Sequence, residues 1–326
     1  MIDTTTAKQR WLSALWPFVQ ALTAAATKAS TLSFVKSDGK RLGRMKVSNR
    51  PGEVEVPRGD LASVLFNASK DRAEYVFGDS IMDIMQRDSG TDVTFERAAP
   101  RTFDLVIGAD GLHSAVRRRV FGPDKDFLHH LGIYVATVPL GRPASDEQDV
   151  QMYNTPGKSV TIHPSTGIAL AAFTFRSPAL PGFDYRDLAQ HKRFLRDAFA
   201  GEGWHVPELL DIATAAEDLF FDSVSKVVLK RWSSGRIGLL GDAASCVSLF
   251  GEGSSLAMIG ASTLASALAE HRHDYSAALK AYEATHRRMV LPKQRNVSAA
   301  SRLLVPGTRA GLALRNLGLR LSLGVS

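Results

Sequence analysis

Two glycine-rich turns, each following a short apolar run, constrain the fold of this 326-residue chain more than any other feature. The first turn follows residues 105–107 and contains Gly108, Asp110 and Gly111. The second follows residues 236–240 and contains Asp242. Each apolar run predicts a buried strand that ends in a sharp turn. Because ligands of open α/β sheets bind beside such strand ends, the sequence predicts an α/β fold with a ligand site formed by distant segments.

The first turn allows two interpretations. A helix is expected to begin near Ser114, so the turn joins a strand end to a helix start, where anionic ligands often bind. Alternatively, Asp110 is only the cap of that helix. The residues of this turn do not decide between the two interpretations.

A pair of glycines, Gly251 and Gly253, follows the second turn along the chain. The carboxylate of Asp242 is suited to accept hydrogen bonds from sugar-like hydroxyls. Gly251 and Gly253 allow backbone N–H groups to approach a ligand closely, and the long helix predicted from Ser254 to about Glu270 favours negative charge at its start. Two strand–Gly–Asp turns in one chain are stronger evidence for a ligand site than one.

The segments between the two turns are rich in strands. Residues 31–35 and 41–47 flank Ser-Asp-Gly and predict a hairpin, and alternating residues between 132 and 175 predict an antiparallel sheet. Helices are predicted at about 12–22, 58–68, 186–200, 206–217 and 274–289, and further strands at 92–97, 226–230 and 236–240. The pattern is that of an α/β domain interrupted by a sheet.

Composition narrows the function classes. Cys246 is the sole cysteine, so no internal disulfide or cysteine metal cluster is possible, and we expect no metal site and a cytoplasmic location. The formal net charge is +7, and residues 285–326 carry eight Lys or Arg and no acid. We interpret this segment as a solvated basic face, with weak contact to a membrane surface as the alternative. Nucleic-acid binding is not expected, because no recognised motif accompanies the charge.

Both turns resemble the flavin-binding motifs of the FAD-dependent monooxygenases of the para-hydroxybenzoate hydroxylase-like (aromatic-ring hydroxylase) family. In that family the first motif contacts the FAD pyrophosphate and NADPH, the Asp of the second binds the ribityl chain, and the following Gly-x-Gly approaches the flavin ring. An Arg before Asp-Leu at a helix start lies over the flavin side of the site. The resemblance therefore implies that FAD is bound by Arg58, Asp110, Gly111, Ser114, Arg117, Asp242, Ala243, Gly251 and Gly253.

The resemblance also implies a reaction. NADPH or NADH reduces FAD, O₂ forms a flavin C4a-hydroperoxide, and an aromatic or polyketide-like small molecule is hydroxylated. The cofactor carries the reactivity, so we name no catalytic side chain. His163 is a candidate base, although a histidine without a catalytic role is the better interpretation. Tyr134, Tyr153, Phe173 and Phe175 are either pocket-lining residues or plain core.

The chain departs from the family at its start. Family members open with a strand, Gly-x-Gly-x-x-Gly and a helix, and this chain begins after such a unit. The resemblance thus implies an FAD/NAD(P)-binding, glutathione-reductase-like Rossmann domain lacking its first βαβ unit, with an inserted antiparallel-sheet substrate domain. We expect the FAD-binding domain at 1–127 and 222–290, the substrate domain at 128–221 and a C-terminal helical segment at 291–326.

Alternatives of a different class remain open. Either the start of the chain is misplaced or supplied from elsewhere, or the chain is a non-catalytic remnant that cannot hold FAD. A flavin reductase of the geranylgeranyl-reductase type is a further possibility within the fold. Because the chain lacks the Gly-x-Gly-x-x-Gly unit with which family members open, we expect the chain as given to bind FAD weakly or not at all.

Overall fold

A computed structural model describes residues 18–46, 54–165, 167–247 and 252–315. Its strands are β1 (Thr31–Val35), β2 (Arg41–Lys46), β3 (Ile81–Arg87), β4 (Gly90–Phe95), β5 (Arg101–Phe103), β6 (Val106–Gly108), β7 (Leu128–Pro139), β8 (Asp149–Thr155), β9 (Lys158–His163), β10 (Leu170–Arg176), β11 (Phe220–Val227), β12 (Ser233–Ser234) and β13 (Ile237–Leu239). Its helices are α1 (residues 18–24), α2 (Arg58–Ser69), α3 (Ala115–Val120), α4 (Leu188–Phe199), α5 (Val206–Ala215), α6 (Asp242–Ser245), α7 (Glu252–Glu270), α8 (Tyr275–Leu304) and α9 (residues 309–315).

The largest sheet has seven strands in the order β11-β7-β10-β9-β8-β1-β2. Its inner pairs are antiparallel, as alternation predicts, and its one parallel pair joins β1 to β8. Phe173 and Phe175 on one face pack with Tyr134 and Phe199 into a buried cluster beneath α4 and α5. These aromatic residues are therefore core, the second of the two interpretations given above.

Two three-stranded sheets lie on the other side of the molecule, in the orders β12-β13-β6 and β3-β4-β5. A second buried cluster surrounds them and includes Leu239, Val116, Trp232 and Leu279. Gly108 allows this packing, because a Cβ there would lie 2.7 Å from Cβ of Val116. The first glycine of the first turn is thus required by sterics.

The predicted elements are found with shifted ends. The hairpin and the helices at 58–68, 186–200 and 206–217 are present within two residues of their predicted ends, whereas the strand predicted at 226–230 lies at Phe220–Val227. Helix α8 continues past Pro292 because Gln294 and Val297 are buried, and Gln294 Nε2 donates to the carbonyl of Val227 at 2.7 Å. Of the first predicted helix, residues 12–17 lie outside the described residues.

The large sheet is not confined to residues 128–221. The hairpin β1–β2, which the sequence analysis assigns to residues 1–127, joins it through β1, and β11 continues it to Val227. Strand alternation cannot reveal this pairing, because the partner strand β8 is more than 100 residues away. The domain boundaries remain a prediction.

No helix in the described part of the chain combines the length and apolar character needed to cross a membrane. In the basic C-terminal stretch, Arg287 lies 4.6 Å over the ring of Trp232 and bonds Glu283 at 2.5 Å. Arg315 bonds the side chain of Asn154 at 2.9 Å. Some of these cations are therefore used for packing within the molecule. Contact with a membrane surface stays a prediction.

Candidate active site

The two Gly-Asp turns leave adjacent strands at the same edge of one sheet. Strands β6 and β13 are parallel neighbours, with Gly108 opposite Leu239. Asp110 and Asp242, which follow those strand ends, line one cleft of about 1850 Å³. The large sheet borders the cleft through Val135 and Thr174. The prediction that both acids face a single cleft is confirmed.

Asp110 supports the start of helix α3, whose N-cap residue is Ser114. Its Oδ1 accepts a hydrogen bond from Ser114 Oγ at 2.5 Å, and its Oδ2 accepts one from the Val116 N–H at 3.1 Å. Ser114 Oγ in turn accepts a bond from the Arg117 N–H at 2.9 Å. Asp110 is nevertheless exposed in the cleft. Asp110 therefore bonds the start of α3 and also faces the cleft, so its role in ligand binding stays a prediction.

Arg117 lies behind the cleft wall, with a side chain that is fully buried. Its Nη1 donates to the carbonyl oxygen of Ala243 at 3.1 Å, and its Nη2 donates to Leu112 O at 2.5 Å and to Asp124 Oδ1 at 2.6 Å. Ser114 and Ala243 are also fully buried. Within the described chain, these three residues do not line the cleft, so their side chains hold the turns in place rather than face a ligand.

Asp242 follows Gly241, whose φ of +61° is a conformation that favours glycine. Burial raises the pKa of the Asp242 carboxyl, and the hydrogen bond with Cys246 and the charge of Arg58 oppose that rise. A half-buried carboxylate with an elevated pKa gains from a hydrogen-bond donor that enters the cleft. Asp242 is therefore suited to accept hydrogen bonds from ligand hydroxyls.

The start of helix α7 completes this wall. Gly253 lines the cleft, and a Cβ there would lie 3.9 Å from Oδ1 of Asp242. Ser254 and Ser255 also line it, so the positive end of a 19-residue helix borders the cleft. Gly251 lies outside the described residues.

Arg58 opens α2 on the facing wall. It lines the cleft, and its guanidinium carbon lies 6.0 Å from the centroid of the Phe220 ring. Its charge also acts on Asp242, as the pKa of that carboxyl indicates. Arg58 is thus placed between the second turn and the large sheet.

Sequence reasoning missed further cleft residues. His113, Arg118, Arg119, Tyr185 and Asp222 all line the cleft. Burial lowers the pKa of Arg118, but the bond and charge of Asp124 and the hydroxyl of Tyr185 outweigh burial and raise it. His113 and Arg118 lie within or beside the first motif, so their positions were visible in the sequence, whereas their partners from distant segments were not.

His163, the candidate base, is on the large sheet. Its Nε2 lies 2.8 Å from Thr161 Oγ1, and burial lowers its pKa, against the opposing charge of Glu55. Among the described residues that line the cleft, His163 does not appear. The geometry therefore supports the interpretation of His163 as a histidine without a catalytic role, which bonds Thr161 within the sheet.

Comparisons with known proteins agree on one family. The family model described as an FAD binding domain matches residues 22–294. The chain is 36% identical over 269 residues to a flavin-dependent monooxygenase of Legionella longbeachae, covering 80% of this chain and 69% of that protein. It is 39% identical over 267 residues to the uncharacterized protein MT1298 of Mycobacterium tuberculosis, covering 79% and 72%.

A solved structure, that of tetracycline destructase Tet(51), superposes with a TM-score of 0.82 at 28% identity, covering 96% of this chain and 83% of that one. These likenesses confirm the α/β fold with an FAD/NAD(P)-binding, Rossmann-like part and an inserted sheet that the resemblance implied.

Proposed function

The chain belongs to the family of FAD-dependent monooxygenases, and we propose that it hydroxylates an aromatic or polyketide-like small molecule with NADPH or NADH as the reductant. In the balanced reaction, the substrate C–H, O₂, the reduced nicotinamide and one proton give the substrate C–OH, water and the oxidised nicotinamide. One oxygen atom enters the substrate and the other leaves as water. The observation that carries this proposal is the shared cleft of Asp110 and Asp242.

The cleft residues fit FAD. The volume of about 1850 Å³ exceeds the roughly 300–1,000 Å³ of ordinary small-molecule sites, as a dinucleotide beside a substrate requires. Gly111, with φ of +78°, has open space where a Cβ would be, and Gly253 likewise presents backbone to the cleft. The walls hold a carboxylate that accepts hydrogen bonds from hydroxyls (Asp242), a cation (Arg58) and the start of helix α7. These groups match the ribityl, ring and phosphate parts of FAD, in that order.

We assign a role to each predicted residue. Asp242 accepts hydrogen bonds from the ribityl hydroxyls, and Arg58 contributes positive charge on the flavin side. Gly111 and Gly253 let backbone approach the cofactor, and Asp110 orients the first turn toward its phosphates. Ser114, Arg117 and Ala243 position these groups from behind the wall. Gly251 keeps its predicted role beside Gly253. Bound FAD supplies the redox chemistry by taking two electrons from the nicotinamide and activating O₂.

The large sheet forms the substrate side of the cleft. Val135, Thr174 and Phe220 face it from three adjacent strands. Apolar and ring surfaces there exclude water and favour a flat, apolar substrate. The names of relatives support the class: one is a flavin-dependent monooxygenase, and the solved structure is a tetracycline destructase.

The first test is a titration of the purified 326-residue protein with FAD, followed by flavin fluorescence. We expect weak but saturable binding that Asp242→Ala weakens further and Glu96→Gln leaves unchanged, since Glu96 is an exposed acid of the same cleft without a role in the proposal. The loaded protein is then incubated with NADPH, isotopically labelled O₂ and a panel of phenols and polyketides. A product containing one labelled oxygen supports the proposal, whereas a hydrogenated product without oxygen contradicts it.

A further inference from the structure

Three side chains from separate parts of the chain meet where the first turn faces the large sheet. His113 follows the turn, Tyr185 lies in the loop before α4, and Asp222 lies on β11. We call them the His113 clasp. All three line the cleft.

His113 and Asp222 form the polar half of the clasp. The Nε2–H of His113 donates to the carboxylate of Asp222, with 3.0 Å to Oδ1 and 2.9 Å to Oδ2. The two side chains are only 19% and 14% exposed, so water screens the pair weakly. The Ser223 N–H donates to Asp222 Oδ1 at 2.7 Å and fixes the carboxylate on its strand.

Tyr185 forms the aromatic half. Its ring stacks on the imidazole of His113, with centroids 3.8 Å apart and 3° between the planes. Its hydroxyl adjoins Arg118, whose Nη1 donates to the His113 carbonyl at 2.7 Å. The side chain of His113 is therefore held from the substrate side of the cleft, whereas its backbone carbonyl is held by Arg118 of α3.

We propose that the His113 clasp fixes the first turn, and with it Asp110, in the position that FAD binding requires. Gly111 and Leu112 separate Asp110 from His113, and a glycine gives the backbone more freedom than any other residue. In the part of the chain that the structure describes, the Asp110 carboxylate bonds Ser114 and Val116 at the start of α3 and no group on the substrate side of the cleft. The clasp restrains this flexible turn by contacts from β11 and the loop before α4. His113, Tyr185 and Asp222 are thus positioning residues.

The restraint is tested without any cofactor, by hydrogen–deuterium exchange of the ligand-free protein. Asp222→Asn should speed exchange of amides 109–114 by about 5- to 10-fold, because a weaker neutral hydrogen bond replaces the charge-assisted bond to His113 in a partly buried site. His130→Gln is the matched control, since His130 is also part-buried and bonds only the Ser177 carbonyl at 3.0 Å. Unchanged exchange of the turn in Asp222→Asn overturns the proposal.

Asp222→Asn also changes the charge of the protein, and such a change can destabilise the whole fold. Two variants of Tyr185 therefore test the clasp without any change of charge. Tyr185→Phe keeps the stacked ring and should exchange at nearly the native rate, whereas Tyr185→Leu should speed exchange of the turn by a few fold. Equal and native exchange rates in both variants would remove Tyr185 from the clasp and contradict the proposal.

The effect of the His113 clasp on FAD affinity rests on the proposed function, and it is measured in a separate binding experiment. His113→Gln and Asp222→Asn should each weaken FAD binding about 3- to 10-fold, and the double variant should be no weaker than either, because both remove one interaction. Faster exchange with native FAD affinity would refute the link to Asp110. Failure of the native protein to bind FAD would refute the proposed function alone, since exchange still decides whether the clasp restrains the turn.

Discussion

Arg117 donates a hydrogen bond from Nη1 to the carbonyl oxygen of Ala243, 3.1 Å away and 126 residues further along the chain. The bond joins the helix of the first turn to the helix of the second. Because the guanidinium also bonds Leu112 O and Asp124, one buried cation fixes the spacing of both turns. The site therefore depends on a residue that does not face it.

Arg117→Met should cost about 2–4 kcal/mol in free energy of unfolding, because it leaves the carbonyls of Leu112 and Ala243 without their donor and removes the buried one of the two arginines that bond Asp124. Arg118→Met is the matched control: Arg118 bonds the same carboxylate at 3.0 Å but is 30% exposed, so its loss should cost about 0–1 kcal/mol. Urea unfolding of both variants measures the difference. Equal losses would contradict the role of burial.

Asp242→Ala should weaken FAD binding about 10- to 100-fold, because a charged acceptor is worth about 1.5–3 kcal/mol in hydrogen bonding. A flavin fluorescence titration measures the change. Glu96→Gln serves as the control, and a native dissociation constant in Asp242→Ala would exclude the assigned role.

The raised pKa of Asp242 gives a second expectation, for the cofactor-free protein. A carboxyl whose folded pKa lies above its unfolded value stabilises the fold at low pH, and that contribution is lost as pH rises. Asp242→Asn should therefore raise the melting temperature at pH 7, by a margin that shrinks towards pH 4. A lower melting temperature of the variant at pH 7 would show that the ionised carboxylate is stabilised by its neighbours.

The two glycines of the first turn should respond differently to substitution. Gly108→Ala forces a Cβ to within 2.7 Å of Val116 and should cost about 1–3 kcal/mol through overpacking. Gly111 has open space but a φ of +78°, so Gly111→Ala should cost about 1–2 kcal/mol and Gly111→Asn less, since asparagine tolerates this region. Thermal unfolding of the three variants measures the order of their stabilities. Equal stability of Gly111→Asn and Gly111→Ala would contradict backbone strain as the cause.

His286 should make the protein acid-sensitive. Its side chain is buried between α7 and α8, and burial lowers its pKa. The unfolded chain then binds more protons, so stability is complete above about pH 6.5 and falls below it by at most about 1.4 kcal/mol per pH unit. Urea unfolding at pH 7, 6 and 5 should show a shallower loss for His286→Phe than for the native chain. Parallel losses would assign the effect to other groups.

The local features of the site follow from the amino-acid sequence. The apolar runs before Asp110 and Asp242 become β6 and β13, and the glycine-rich start of α7 lies beside them, because strand, turn and helix signals depend on neighbouring residues. The resemblance of these motifs then identified the family.

Which side chains face the cleft depends on the tertiary fold. Arg117, in the motif, points inward to Ala243, while His113, four residues earlier, reaches Asp222. The pairing of β1 with β8 was equally hidden. Each of these contacts joins residues more than 100 positions apart, and their energy depends on burial and partner geometry, which local patterns do not contain.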